Sequence, residues 1–154
     1  MAVSARISRK THIKLPNSLS GPTKVKVGFV RGMADQDNIN KAVWNEFGTA
    51  GGASGGGWGG PIPERPFLRN AMRNNTSKYR NAMASSAERI LLGQATLDSV
   101  LTKLGTLAEQ DVKNEITSLR SPPNSPVTIE MKGSDNPLID TGEMRNSVRY
   151  KVEP

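Results

Sequence analysis

The stretch Asn136-Pro137-Leu138-Ile139-Asp140-Thr141-Gly142-Glu143-Met144-Arg145-Asn146-Ser147-Val148-Arg149-Tyr150-Lys151-Val152 holds a loop, a helix start and a strand in succession. Asp140 stands where an N-cap belongs and Glu143 follows three residues later, the spacing of a capping box. A carboxylate there can accept from the free N–H groups of the first helical turn. Leu138 and Ile139 precede it and can staple onto Met144. The helix has room for one or two turns. Val148, Tyr150 and Val152 then alternate with Arg149 and Lys151, the period-two pattern of a half-buried strand. Asp140 is therefore expected to cap a short helix that aims this strand onto another, and its replacement by alanine to cost about 1 kcal/mol.

A second strand pattern lies near the other end. Over Thr23–Val30, Val25, Val27 and Phe29 alternate with Lys24, Lys26 and Gly28, giving one apolar and one basic face. Between the two strand patterns the periodicity is helical. Asp37 or Asn38 can cap a helix from about Ile39 to Phe47, with Ile39, Val43, Trp44 and Phe47 on one face and Gly48 as its C-terminal stop. Pro66 suits a first helical turn. The stripe Phe67, Leu68, Ala71 and Met72 follows it, and Tyr79, Met83, Ala87, Ile90 and Leu91 continue to an end near Gly93. Asn74-Asn75-Thr76 is expected to weaken or break that helix. Thr96 or Asp98 opens the longest one, whose face is Leu101, Leu104, Ala108, Val112, Ile116 and Leu119. Gly105 in its middle lowers helix propensity by about 1 kcal/mol against alanine. Ser121-Pro122-Pro123-Asn124-Ser125-Pro126 ends it, and Ser125 can cap a short turn over residues 126–132.

The remainder is arm and loop. Residues 1–22 read as an N-terminal arm and 23–154 as a single domain carrying a flexible Gly-rich loop over 50–63. Arg6, Arg9, Lys10, Lys14, Lys24, Lys26 and Arg31 all precede the first acid, Asp35, and so account for the whole net charge of +7. A basic section on a neutral body suits a polyanion or an acidic protein face. Trp58, alone among glycines, reads as an anchor for a pocket on its own subunit or on a partner.

Little in the chain points to catalysis. Cysteine is absent, which excludes disulfides and thiolate metal sites, and the single histidine, His12, lies in the arm. The glycine loop has no lysine and resembles no P-loop. Ser54, Ser85 and Ser86 lack a nucleophile-elbow context, and Asp35 with Asp37 is followed by no calcium-loop pattern. The acids sit mostly at helix starts and on polar faces. The reading is no enzyme, no cofactor and no metal. No apolar run approaches the ~20 residues that span a bilayer, and the first residues lack the apolar centre of a signal peptide, so a soluble protein made in the cytoplasm is expected. Hydrophobic residues make up 35% of the chain and aromatics 5%, a thin core that would gain from assembly.

Two segments together resemble the tail-completion (virion morphogenesis, neck) proteins of tailed bacteriophages. The first is Trp44-Asn45-Glu46-Phe47-Gly48-Thr49, the glycine loop, then Ile62-Pro63-Glu64-Arg65-Pro66-Phe67-Leu68-Arg69-Asn70-Ala71. The second is Ser121 to Pro126, Lys132-Gly133, then Pro137 to Val148. The resemblance runs from about Lys24 to Val152, and the long insert before Pro61 departs from it. It implies an α+β subunit: a small antiparallel sheet pairing strands near 24–30 and 148–152, with room for a further strand, packed by three to four helices. It also implies a structural virion protein without a cofactor. Such proteins form rings, commonly sixfold, which complete the tail and join it to the head connector around the DNA channel. The partners implied are further copies, connector or adaptor proteins, and tail-tube or sheath proteins. The basic arm (Arg6, Arg9, Lys10, Lys14) with Lys24 and Lys26 is the candidate face toward DNA or a partner, Trp58 the candidate interface loop, and Asp140 with Glu143 the structural cap. Packaged double-stranded DNA would be met non-specifically. The alternative is a free, non-specific nucleic-acid-binding protein that uses the arm.

Overall fold

Val25 pairs with Val152 and Val27 with Tyr150, so the apolar faces of the two terminal strand patterns coincide. This register belongs to a two-stranded antiparallel sheet of β1 (Lys24–Gly28) and β2 (Arg149–Glu153). The computed structural model describes residues 17–51 and 60–154. Between the strands run α1 (Gln36–Phe47), α2 (Phe67–Leu91), α3 (Leu97–Ser118), α4 (Pro126–Lys132) and α5 (Glu143–Asn146). The architecture is the expected α+β, with two strands among the described residues and no third.

The two long helices, α2 and α3, pack against each other, and α3 also carries the sheet. Val112 and Ile116 of α3 join Phe67 and Ala71 of α2, with Leu138, Met144 and Val148 from the C-terminal stretch, in one core. The core is placed at one end of the α2–α3 pair, where α1 and α5 close over it. Phe29, beside β1, meets the Phe67 ring edge-on at 6.2 Å between centroids.

Helix ends follow local chemistry, with three departures from expectation. Thr96 caps α3 by accepting from Ser99 N–H, and Ser125 caps α4 by accepting from Thr128 N–H, as anticipated. The cap of α1 is Asp35, ahead of Asp37 and Asn38. Its carboxylate takes both the Asn38 backbone N–H (2.9 Å) and the Asn38 side-chain amide (2.6 Å), which draws the helix start back to Gln36. Helix α2 does not break at residues 74–76. Asn75 donates to Ala71 O and Thr76 to Met72 O, so their side chains bond back along the helix rather than compete with it.

The third departure is at α5. Its N-cap is Gly142, at φ 83°, with no side-chain cap bond, so neither Asp140 nor Glu143 forms the expected capping box. The left-handed turn at Gly142 separates Asp140 from the first turn. Thr141 Oγ1 instead approaches Glu143 N–H at 3.4 Å. The segment before it is held by Asn136, whose Oδ1 accepts from Leu138 N–H (3.0 Å) and Ile139 N–H (3.1 Å). Leu138 and Met144 still reach the same core, with Ile139 against it.

The inward face of α1 is also not the apolar one. Asn38, Ala42 and Glu46 are buried, whereas Val43 is 48% and Phe47 65% exposed. Residues 17–19, read from sequence as part of the arm, pack on the body. A 3-10 turn over Asn17–Leu19 packs on α2, and Ser18 Oγ donates to Ile90 O at 2.6 Å, satisfying a carbonyl at the helix end.

Candidate functional site

The residues that carry the resemblance converge at the N-terminal end of α2. Glu46, 3% exposed, points its carboxylate at the first turn of that helix. It accepts from Leu68 N–H (2.8 Å), Arg69 N–H (3.1 Å) and Arg69 Nε (2.9 Å). A carboxylate here satisfies two orphan donors and lies at the positive end of the helix dipole. Arg69 also pairs with Glu64 and stacks over the Phe47 ring at 5.2 Å. Hydrogen bonding to Glu46 and then to Glu64 raises the Arg69 pKa.

Arg65 is 5% exposed and has no carboxylate partner among the described residues. Its guanidinium donates instead to Pro122 O (2.8 Å), Pro123 O (3.0 Å), Asn45 Oδ1 (3.1 Å) and Asn124 Oδ1 (3.4 Å). Burial lowers its pKa. One side chain thus ties α1 to the Pro-Pro turn after α3, and Asn124 extends the tie by donating to Asn136 O. Asn136 Nδ2 then reaches Thr117 O at 3.1 Å. The base of the glycine loop is closed beside this junction: Thr49 N–H donates to Ile62 O and Ile62 N–H to Thr49 Oγ1. Gly48, at φ 70°, passes so close that a Cβ would stand 2.9 Å from Ile62 O.

A cleft opens next to the junction, between α1 and the segment Pro137–Met144. Its volume is about 230 Å³, and Asn38, Lys41, Lys132, Asp140 and Glu143 supply its polar lining. Lys132 donates to Asn136 O, and burial lowers its pKa, partly offset by Asp140. Asp140 and Glu143, anticipated as a cap, are thus exposed cleft residues.

Of the other anticipated site residues, Lys24 and Lys26 are among those described. They lie on the outer face of β1, and Lys26 is paired with Glu153 at 2.6 Å. Arg6, Arg9, Lys10, Lys14 and Trp58 lie outside the described residues. Asn38, Glu46, Arg65 and Asn136 were not singled out from sequence. For Asn136 a signal existed: Asn before Pro favours a turn in which the side chain bonds backbone N–H groups just ahead.

A separate buried carboxylate, Asp111, sits between α2 and α3. It takes Lys78 Nζ at 2.6 Å and the Tyr79 hydroxyl at 2.9 Å. Burial, reinforced by Asp111, pushes the Tyr79 pKa up. Among the described residues, no group of three or more His, Cys, Asp or Glu is placed to hold a metal ion, and no helix is long and apolar enough to cross a membrane. No protein-family model, curated protein or solved structure matches the chain.

Proposed function

We propose that this chain is a structural virion protein of the bacteriophage neck, a ring subunit that completes the tail and joins it to the head connector around the DNA channel. The observation that carries this reading is the junction at the start of α2. The neighbours Asn45 and Glu46, the turn from Arg65 to Arg69 and the Pro122–Asn124 turn come from three separate stretches of sequence, yet Arg65 bonds Asn45 and the Pro122–Asn124 turn while Glu46, beside Asn45, bonds Leu68 and Arg69. The ordered motif behind the resemblance is therefore physically one unit that fixes α1, α2 and the C-terminal segment together. Such a unit serves rigid geometry, which is what a ring between two larger assemblies requires.

Exposed apolar residues support the same reading. Val43 and Phe47 lie on α1, and Val127 and Met131 one turn apart on α4. Apolar patches at different places on one subunit suit head-to-tail contacts between copies. The neighbours proposed are further copies, connector or adaptor proteins, and tail-tube or sheath proteins, with the virion as the location.

The test is the mass of the purified chain in solution, followed by capture on connector and tail-tube proteins. A ring mass, or stable capture, supports the proposal. A second reading, free non-specific nucleic-acid binding, is favoured by the seven basic residues that precede the first acid. A monomer that binds duplex DNA tightly, and loses that binding steeply with salt, would establish it instead.

A further inference from the structure

Asn38 is 4% exposed, and its side-chain oxygen accepts from no donor among the described residues. Rotating the amide would not help, because it would turn that oxygen toward Asp35 Oδ2, which now receives the amide nitrogen at 2.6 Å. Asn38 lines the cleft described above and a second one that shares Lys41 and Glu143 with it and adds Asp35, Asp37 and Arg149. The carboxylates of Asp37, Asp140 and Glu143 take part in none of the ion pairs among the described residues. Of the cations there, Lys132 and Arg149 already donate to backbone carbonyls, which leaves Lys41 at the rim. A buried acceptor beside uncommitted carboxylates calls for a cation that carries N–H donors, a guanidinium or an ammonium.

We infer that this cleft receives Lys10 or Lys14 of a second copy of the chain. The segment around them, residues 6–14, holds Arg6, Arg9, Lys10 and Lys14 and no acid. The reach of the chain argues for a second copy. Ser18 is anchored at Ile90, at the C-terminal end of α2. The cleft lies at the opposite end: Asn136 and Arg145 bond Thr117 of α3, and the neighbouring Glu115 bonds Asn70 near the start of α2. From Leu68 to Ile90 the helix rises about 33 Å. Fully extended, the Lys14 Cα reaches about 10 Å from Asn17 and the Lys10 Cα about 25 Å. Even with a side chain of about 6 Å added, both fall short of their own cleft, whereas an adjacent copy can bring its cleft nearer. The inference rests on the ring reading, and it commits the arm to protein rather than DNA.

The absence of cysteine makes the test direct. In the full-length chain, Ser8→Cys or Thr11→Cys keeps all four basic side chains, and Thr141→Cys keeps every cleft carboxylate. Copies with one arm cysteine, co-expressed with copies carrying Thr141→Cys, should form a disulfide between chains well above the level reached with Leu92→Cys, an exposed position at the far end of α2. Adding Glu143→Gln to the Thr141→Cys copy should lower the yield about two- to fivefold. An oligomer that cross-links no better than the Leu92→Cys control overturns the docking and leaves the ring reading standing. A disulfide that forms only within one doubly substituted chain overturns the second copy as the source. A chain that stays monomeric overturns the ring reading and the docking together.

Discussion

Gly105 of α3 lies directly beneath the Tyr150 ring of β2, so close that a Cβ on Gly105 would collide with the ring and stand 2.9 Å from Val25 Cγ2. This is where the sheet crosses the longest helix. The missing side chain lets both strands approach the helix backbone, and Glu109, one turn on, takes the Tyr150 N–H at 3.1 Å.

Gly105→Ala therefore sets two effects against each other. Alanine gains about 1 kcal/mol of helix propensity, while overpacking a fitted contact costs about 1–3 kcal/mol. The obstructing atoms belong to the ring and not to the far end of a flexible chain, so the second effect wins. The expected net loss is about 1 kcal/mol by urea unfolding. Tyr150→Leu should recover part of it in the double variant. An alanine variant as stable as the parent would show that the ring can step aside.

Glu46→Ala should be among the costlier single changes. It strands two backbone donors at the α2 terminus in a buried site, where each unmet group costs about 1–3 kcal/mol. A loss of about 3 kcal/mol in chemical denaturation is expected. Glu46→Gln should also destabilise, because its amide NH₂ would face donors. If glutamine is tolerated as well as glutamate, the carboxylate's charge and second acceptor are not what hold the helix end.

These two sites show what was legible in the sequence. The strands could be read because Val25, Val27, Tyr150 and Val152 alternate cleanly and meet on one face. Helix α3 was legible, opening at Thr96 or Asp98 and ending near Leu119, since its apolar repeat and caps agree, and the structure selects Thr96 as the cap. Helix α1 was placed but turned the wrong way. Periodicity sums apolar residues; it cannot see that Glu46 has donors waiting at the start of α2, or that Asn38 is clasped by Asp35. Gly105 was visible as a helix-weakening residue, but its reason lies in a strand some 45 residues later. The polar junction could not be assembled from spacing alone, because Asn45, Arg65, Asn124 and Asn136 are joined only by the fold.

Asn136 and Asp140 form a contrasting pair. Asn136→Ala removes the acceptor for two backbone N–H groups and the donor to Thr117 O in a site that is 8% exposed. A loss of about 2–3 kcal/mol is expected. Asp140→Ala, anticipated from spacing to remove a cap, should stay within about 0.5 kcal/mol, as exposed substitutions usually do. Thermal unfolding of both variants checks the assignment; a large loss for Asp140→Ala would return the capping role to it.

Acid sensitivity should have one traceable source at Asp35. The backbone N–H of Asn38, and then its side-chain amide, hold the Asp35 carboxyl below its ordinary value near 3.8. A carboxylate whose pKa is depressed on folding stabilises the folded state fully above its unfolded pKa, and that contribution drains away as pH falls through the lower folded value. The window lies below about pH 4. Asp35→Asn keeps an N-cap acceptor but cannot titrate. Its melting temperature should therefore fall less steeply than the parent's between pH 5 and pH 3, both flanks being compared in the same buffer series. Parallel curves for the two chains would mean that the clasp between Asp35 and Asn38 does not survive in solution, and with it would go the orientation that leaves Asn38 Oδ1 without a donor.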